Sequence, residues 1–252
     1  MYRFSPSASP ADSFGHKTMI DVVFEDNHLF VVNKPAMLPT MGVAEDRPSL
    51  LGEAKDYIRR KYSKPGNVYL GVVSRLDAPV TGVVLFARTS KAAGRLSKLF
   101  RERDIEKVYW AIVEGRVAPP EGELTDFLRK DERHRRVHTA SAHTPGAQQA
   151  ELSYRLMSGA ANEPRVRDAA SLSLVEVRPR TGRKHQIRVQ LAAAGFPIVG
   201  DRKYGSRRTL PTGIALHSRR LALTHPVSKM QMEFVAALPA SWRGFIQEVP
   251  LV

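Results

Sequence analysis

Apolar positions recur in two rhythms along this chain, one of period two and one of period three to four. "MIDVVFEDNHLFVVNKPAMLP" (19–39) places two apolar runs around an Asp-Asn pair, which predicts strand, turn, strand, with Lys34-Pro35 ending the second strand. "RPSLLGEAKDYIRRKY" (47–62) carries apolar residues at Leu50, Leu51, Ala54, Tyr57 and Ile58, the spacing of a helix, with Ser49 as its N-cap. "GVVSRLDAPVTGVVLFART" (71–89) is two apolar runs around a polar insert, so two further strands are expected. "TSKAAGRLSKLFRERD" (89–104) returns to helical spacing through Leu96, Leu99 and Phe100, capped by Thr89 or Ser90.

"EKVYWAIVEGRV" (106–117) predicts a strand, and "APPEGELTDFLRK" (118–130) the start of a hairpin. "DERHRRVHTASAHTPGAQQA" (131–150) reads as its polar, basic, exposed end. "AELSYRLMS" and "SLSLVEVRPR" alternate like strands, with "GAANEPRVRDAA" (159–170) as the turn between them. "TGRKHQIRVQLAAAG" predicts a helix over 181–195 that stops at a glycine. "GIALHSRRLALTHP" and "KMQMEFVAALP" are two last strands, and "SWRGFIQEV" a short terminal helix. Many strands, few helices and several hairpins do not make a regular strand–helix alternation. The pattern predicts an α+β fold with a mixed, mostly antiparallel sheet flanked by helices.

The 252 residues are enough to bury a core without disulfides. There is no cysteine, which excludes disulfides and thiolate zinc sites and suits a reducing, cytoplasmic setting. The histidines follow no metal-ligand spacing, so no metal is expected. No apolar run reaches the length of a membrane span. Residues 1–18 are rich in Ser and Pro and lack an apolar signal core. They read as a flexible tail before one domain, 19–252. Charge changes the picture most. Lys and Arg number 39 against 25 Asp and Glu, a net of +14. Such an excess favours a polyanionic partner through counterion release and steering. The arginines cluster in "LRKDERHRRVH", "RPRTGRKHQIR", "GDRKYGSRR" and "HSRRL", and their forked donors suit phosphate.

The candidate chemistry starts at Asp77. A turn aspartate usually accepts backbone N–H bonds, but here Arg75 lies two residues before it and apolar strands bracket the loop. A cation beside a carboxylate keeps it ionised, and an ionised, oriented carboxylate is a nucleophile. Tyr109 in "KVYWAIVEG" points to the strand face opposite Trp110; a core aromatic would look the same. Arg183, Lys184, His185 and Arg188 fall in the first turns of the expected helix, where cations oppose the helix dipole and call for a compensating anion. A solvated basic face is the alternative. "PIVGDRKYGS" is a structured loop around Asp201 and Tyr204; neither phosphate-loop motif is present, so no nucleotide cofactor is expected.

Taken in order, these segments resemble the RluA-type RNA pseudouridine synthases. "GVVSRLDAPVTGVVLFART" resembles the family signature, approximately H-R-L-D-x-x-T-S-G followed by an apolar strand. "VVFEDNHLFVVNKPAMLPT" is similar to its opening hairpin, "EKVYWAIVEG" to its tyrosine strand, "RTGRKHQIRVQLAAAGFPIVGDRKYG" to its arginine motif and "ALHSRRLALTHP" to its last motif. The resemblance spans about 19–240. It implies a pseudouridine synthase fold with a central active-site cleft, no cofactor, and specific uridines of ribosomal or transfer RNA as substrate. It places the catalytic aspartate at Asp77, the active-site tyrosine at Tyr109 and the arginine that pairs with the aspartate at Arg188. Arg75 falls on the arginine that helps expel the base, and Leu216 on an apolar pocket residue. Arg183, Lys184, Arg202 and Lys203 are the expected RNA contacts, and a monomer is the default.

The chain departs from the family pattern in two places. Ser74 stands where the family has His, and "DAPVTG" replaces "DRxTSG", which alters Ala78 and Thr81. A non-catalytic RNA-binding or ribosome-assembly factor that keeps the fold is therefore a second reading, and an aspartate-dependent hydrolase of an anionic small molecule a third. The tail is too short for an N-terminal S4 module, so the hairpin at 129–138 and the loop at 202–208 are the expected RNA-reading segments.

Overall fold

A computed structural model describes residues 1–4, 20–44, 47–159, 171–243 and 245. In chain order the elements begin with β1 (Tyr2–Phe4), β2 (Asp21–Glu25), β3 (Leu29–Lys34), α1 (Leu50–Lys61), β4 (Gly71–Val72), β5 (Thr81–Ala87) and α2 (Ser90–Glu102). They continue with β6 (Ile105–Glu114), β7 (Glu121–Asp131), β8 (Arg136–Ala140), β9 (Gln148–Gly159), β10 (Leu172–Pro179), α3 (Gln186–Ala193), β11 (Leu216–Thr224) and β12 (Gln231–Val235). Two compact units result: Met1–Lys107 with Ser218–Pro239, and Val108–His217 with Ala240–Val252. The boundary falls inside β6 and inside β11.

In the first unit β2, β3 and β5 pair antiparallel. β11 pairs antiparallel with β12, and β1 runs parallel to β12. β3 and β5 read as nearly unbroken apolar runs because both of their faces are covered. Leu29, Val31, Val83 and Leu85 meet Ala92 and Leu96 of α2. The alternate residues Phe30, Val32, Val84 and Phe86 meet Leu50, Ala54 and Ile58 of α1. Burying a leucine such as Leu96 stabilises by about 2 kcal/mol. Both helices start where the sequence predicts. Ser49 Oγ accepts from Gly52 N–H, and Thr89 Oγ1 accepts from Ala92 N–H.

In the second unit β6, β10, β9, β7 and β8 form one antiparallel run. α3 lies on one face, where Val189 packs with Leu128, Val137, Ala150 and Tyr204. Glu121, Glu123, Arg155, Glu176 and Arg178 line a polar hollow of about 450 Å³ formed with Gly122, Ser153 and Tyr154. This alternation of apolar and charged positions marks a sheet with one wet face.

Three expectations need correction. The helix expected over 181–195 begins at Gln186. Gln186 is buried, and its Oε1 accepts from Thr181 Oγ1 at 2.7 Å and from Arg183 N–H at 3.0 Å, so 181–185 is a looped approach. Arg183 and Lys184 thus precede the helix, and His185 sits at its N-cap in the left-handed region, φ 55°. Secondly, part of the polar stretch at 131–150 is strand, because β8 returns along β7 from a tight tip at 132–135. Thirdly, Tyr2–Phe4 of the expected tail form a strand, with Phe4 on Phe24 and Phe234; residues 5–19 lie outside the described residues. The terminal helix expected over 241–249 lies mostly outside the described residues, beside a 3-10 turn at Ala240–Trp242. The turn expected at 159–170 lies almost wholly outside the described residues. Among those residues no helix is long and apolar enough to cross a membrane.

Candidate active site

Asp77 and Arg75 belong to the first unit, on the extended segment between β4 and β5. Alternate residues of this segment are pinned. Ser74 Oγ accepts from Leu85 N–H at 3.1 Å and lies 3.3 Å from Leu85 O, so it extends the β4–β5 pairing by a side chain. Thr40 Oγ1 donates to Leu76 O at 2.8 Å and accepts from Leu76 N–H at 3.1 Å. Lys34 Nζ donates to Ala78 O at 2.9 Å. A turn follows, with Val80 N–H on Asp77 O at 3.0 Å. Positions 74, 76 and 78 are thus fixed, and Arg75 and Asp77 are the intervening residues, exposed and half-buried respectively. Ser74, a departure from the family pattern, therefore has a defined role as a latch on β5.

Lys34 is 1% exposed, and its ammonium also donates to Pro35 O at 2.8 Å and Leu38 O at 2.7 Å. Burial pushes its pKa down to about 7, while the charge of Asp77 works to raise it. Lys34 and Thr40 were not among the residues singled out from sequence. A lysine inside an apolar run before proline is the one signal that was there to be read.

Gly82 opens β5 at φ 111°. A Cβ there would stand 2.3 Å from Ser218 O and 2.6 Å from Ser218 N. The backbone of β11 runs where a side chain would be, so no other residue fits.

The second unit carries Tyr109, Arg183, Lys184, Arg188, Arg202, Lys203 and Leu216. Tyr109 is half-buried on β6, opposite Val177 of β10. Leu216 is 3% exposed at the start of β11, after a knot of backbone bonds in which Ile112 N–H meets Ala215 O and Ala215 N–H meets Val199 O. Arg188 is buried in α3 and grips Asp201 with two prongs, Nε to Oδ2 at 2.6 Å and Nη2 to Oδ1 at 2.9 Å. Asp201 is thus an acid that sequence reading placed in a loop without assigning it a partner.

Glu114 organises the adjoining loop. Its carboxylate accepts from Ser206 Oγ at 2.5 Å and from the backbone N–H groups of Arg207 and Arg208. Burial alone would raise its pKa; the Ser206, Arg208 and Arg207 hydrogen bonds and the Arg208 charge together outweigh that and hold it below the usual carboxylate range. Arg183, Lys184 and Arg202 are exposed. The two segments expected to read RNA touch one another: Lys203 Nζ donates to Arg135 O at 2.9 Å, and Tyr204 Oη accepts from Val137 N–H at 3.0 Å. Exposed Arg129, Lys130, Arg133 and Arg135 make this hairpin a basic prong.

A pinned aspartate loop beside a buried lysine, and a basic hairpin braced by an arginine-rich loop, are the parts of an enzyme that acts on nucleic acid. Residues 28–193 match the family RNA pseudouridylate synthase, and the chain belongs to that family. It is 32% identical over 229 residues to the uncharacterized RNA pseudouridine synthase YhcT of Bacillus subtilis, covering 89% of this chain and 70% of that one. It is 34% identical over 221 residues to the dual-specificity RNA pseudouridine synthase RluA of Escherichia coli K12, covering 85% of this chain and 91% of that one. With the tRNA pseudouridine synthase C of Pectobacterium carotovorum it shares 30% identity, and it spans 62% of that relative's length. The structure of human RNA Pseudouridylate Synthase Domain Containing 4 superposes with a TM-score of 0.70 at 25% identity, over 88% of this chain and 91% of that one. The expected α+β fold and the resemblance to RluA-type synthases are both borne out.

Proposed function

We propose that this chain isomerises uridine to pseudouridine in RNA, with Asp77 as the nucleophile. The observation that carries the reading is the pinning of positions 74, 76 and 78 around that aspartate. The reaction breaks C1′–N1 and forms C1′–C5; C5 loses its hydrogen and N1 gains one, so composition and oxidation state are unchanged. An oriented carboxylate serves it by adding to uracil C6 or by assisting departure at C1′. The backbone that carries it is held before substrate arrives, which lowers the entropic part of the barrier.

Tyr109 is the aromatic platform for the uracil and assists proton removal. Arg188, fixed by Asp201, supplies positive charge to the catalytic carboxylate. Arg75 helps draw the base from its stack, at a cost of a few kcal/mol that stacking and backbone contacts offset. Leu216 lines the pocket. Arg183, Lys184, Arg202 and Lys203, with the hairpin, take the RNA backbone. Relatives named for transfer RNA and for the large ribosomal subunit make those RNAs the substrate candidates. The working unit is a cytoplasmic monomer with one catalytic domain over 19–252, to whose sheet β1 (Tyr2–Phe4) adds a strand.

The test is tritium release from RNA labelled at uracil C5, offered as transfer and ribosomal RNA, beside Asp77→Asn. Release by the wild type and none by the variant is expected, a loss of at least about 10⁴-fold. RNA binding without release would instead favour the non-catalytic factor.

A further inference from the structure

Tyr204 was singled out in the sequence only as part of a structured loop, and the reading above gives it no role. In the second unit it meets functional groups from the hairpin, from α3 and from its own loop. Its hydroxyl accepts from Val137 N–H at 3.0 Å, at the root of the basic hairpin. The same hydroxyl lies 2.7 Å from His185 Nδ1, at the N-cap of α3. Its ring centroid stands 5.1 Å from the Arg188 guanidinium carbon and 5.8 Å from that of Arg136 on β8. Its own N–H bonds Asp201 O at 2.9 Å, so it is tied to the residue that grips Arg188. Arg136 Nε is buried with no hydrogen-bond partner, which leaves the Tyr204 ring face among the groups offsetting its burial.

We propose that Tyr204 is a positioning residue that couples the RNA-gripping hairpin to Arg188: its hydroxyl sets the hairpin, and its ring sets the arginine. The chemistry of the two ends differs. The hydroxyl accepts from Val137 N–H and is hydrogen-bonded to His185 Nδ1, so the hairpin root and the start of α3 share one oxygen. The ring attracts the Arg188 guanidinium, whose carbon stands 5.1 Å from its centroid, and so helps hold the fork of Arg188 on Asp201. A core tyrosine with a purely structural role would link neither end to function. Its loss would lower stability and activity together.

The proposal rests on the reading of this chain as an RNA uridine isomerase, and its test separates the two ends. Tyr204→Phe keeps the ring and removes the hydroxyl. Tyr204→Leu removes both. For each full-length variant, KM and kcat would be measured on an RNA that the wild type modifies, together with Kd for that RNA, the thermal midpoint and amide exchange at Val137. In Tyr204→Phe, Val137 exchange accelerates about tenfold and KM and Kd rise about tenfold, as for one lost hydrogen bond to an ordered element, while kcat stays within about threefold. In Tyr204→Leu, kcat falls about tenfold further. Unchanged Val137 exchange and KM in Tyr204→Phe would overturn the proposal. So would parallel losses of kcat and thermal midpoint with KM unmoved. If the wild type releases no tritium from any RNA, the functional reading fails on its own account. The exchange and Kd arms then still decide whether Tyr204 sets the hairpin.

Discussion

In the first unit the strands that carry the aspartate loop are covered by helices on both faces, and the loop's polar anchors lie inside that cover. In the second unit the sheet has a helix on one face and charge on the other, and its cations stand at an exposed hairpin. The difference suits the roles proposed for the two regions. A carboxylate that must attack one atom needs its backbone fixed, and buried hydrogen bonds fix it because solvent does not compete for them. A hairpin that takes phosphates needs reach and charge, and neither survives burial. Changes in the first unit should therefore be felt as stability and turnover, and changes at the hairpin as RNA affinity.

The largest expected effect is Gly82→Ala. With backbone at 2.3 Å from the new Cβ, the two strands must part, at a cost of about 4 kcal/mol or more. Chemical denaturation reads it directly, and a loss under 1 kcal/mol would break the picture of a tightly closed first unit. Lys34→Met follows. It leaves the carbonyls of Pro35, Leu38 and Ala78 without their donor and should cost about 2 kcal/mol at pH 6, where the ammonium has a hydrogen for each. Its pH signature is sharper still. The folded pKa of Lys34 is about 7, below the unfolded value of 10.5. Between those values the unfolded chain holds a proton that the folded chain lacks, so stability rises with pH through that window. Below it both states are protonated and the slope from this group vanishes. Denaturation midpoints from pH 6 to pH 10 should rise more steeply in the wild type than in Lys34→Met, where only groups such as the buried Lys107 still contribute.

At the hairpin, Arg133→Glu with Arg135→Glu should leave the denaturation midpoint within about 0.5 kcal/mol, because both side chains are exposed. RNA affinity should drop about tenfold at moderate salt, with a shallower salt dependence by about one unit per cation lost. An unchanged salt slope would remove the hairpin from the RNA interface. The smallest effect is expected for Ser74→Ala, about 1 kcal/mol, from the lost bond to Leu85 N–H. A few-fold loss of turnover should accompany it with no change in RNA affinity. Were affinity lost instead, the latch would belong with the RNA-binding parts and not with the pinned loop.

The amino-acid sequence by itself determined most of the elements, because each of these rests on local chemistry; β1 and β8, in polar stretches, escaped it. Period-two and period-three runs set strands and helices, Ser49 and Thr89 set the helix starts, and a net charge of +14 set the class of partner. It also displayed Asp77 between two apolar runs, since a charged insert in a core pattern is visible without coordinates. The late start of α3 was not legible, because it depends on Gln186 reaching Thr181 and Arg183 inside the second unit. The pins on the aspartate loop were equally hidden. Leu76 is bonded by Thr40, 36 residues away, and Ala78 by Lys34, 44 residues away. Asp201 as the partner of Arg188, and Tyr204 as the brace under it, join residues from α3, β8 and a loop. Periodicity reports which face of an element is buried. What meets that face is decided by long-range packing, and the tertiary structure alone supplies it.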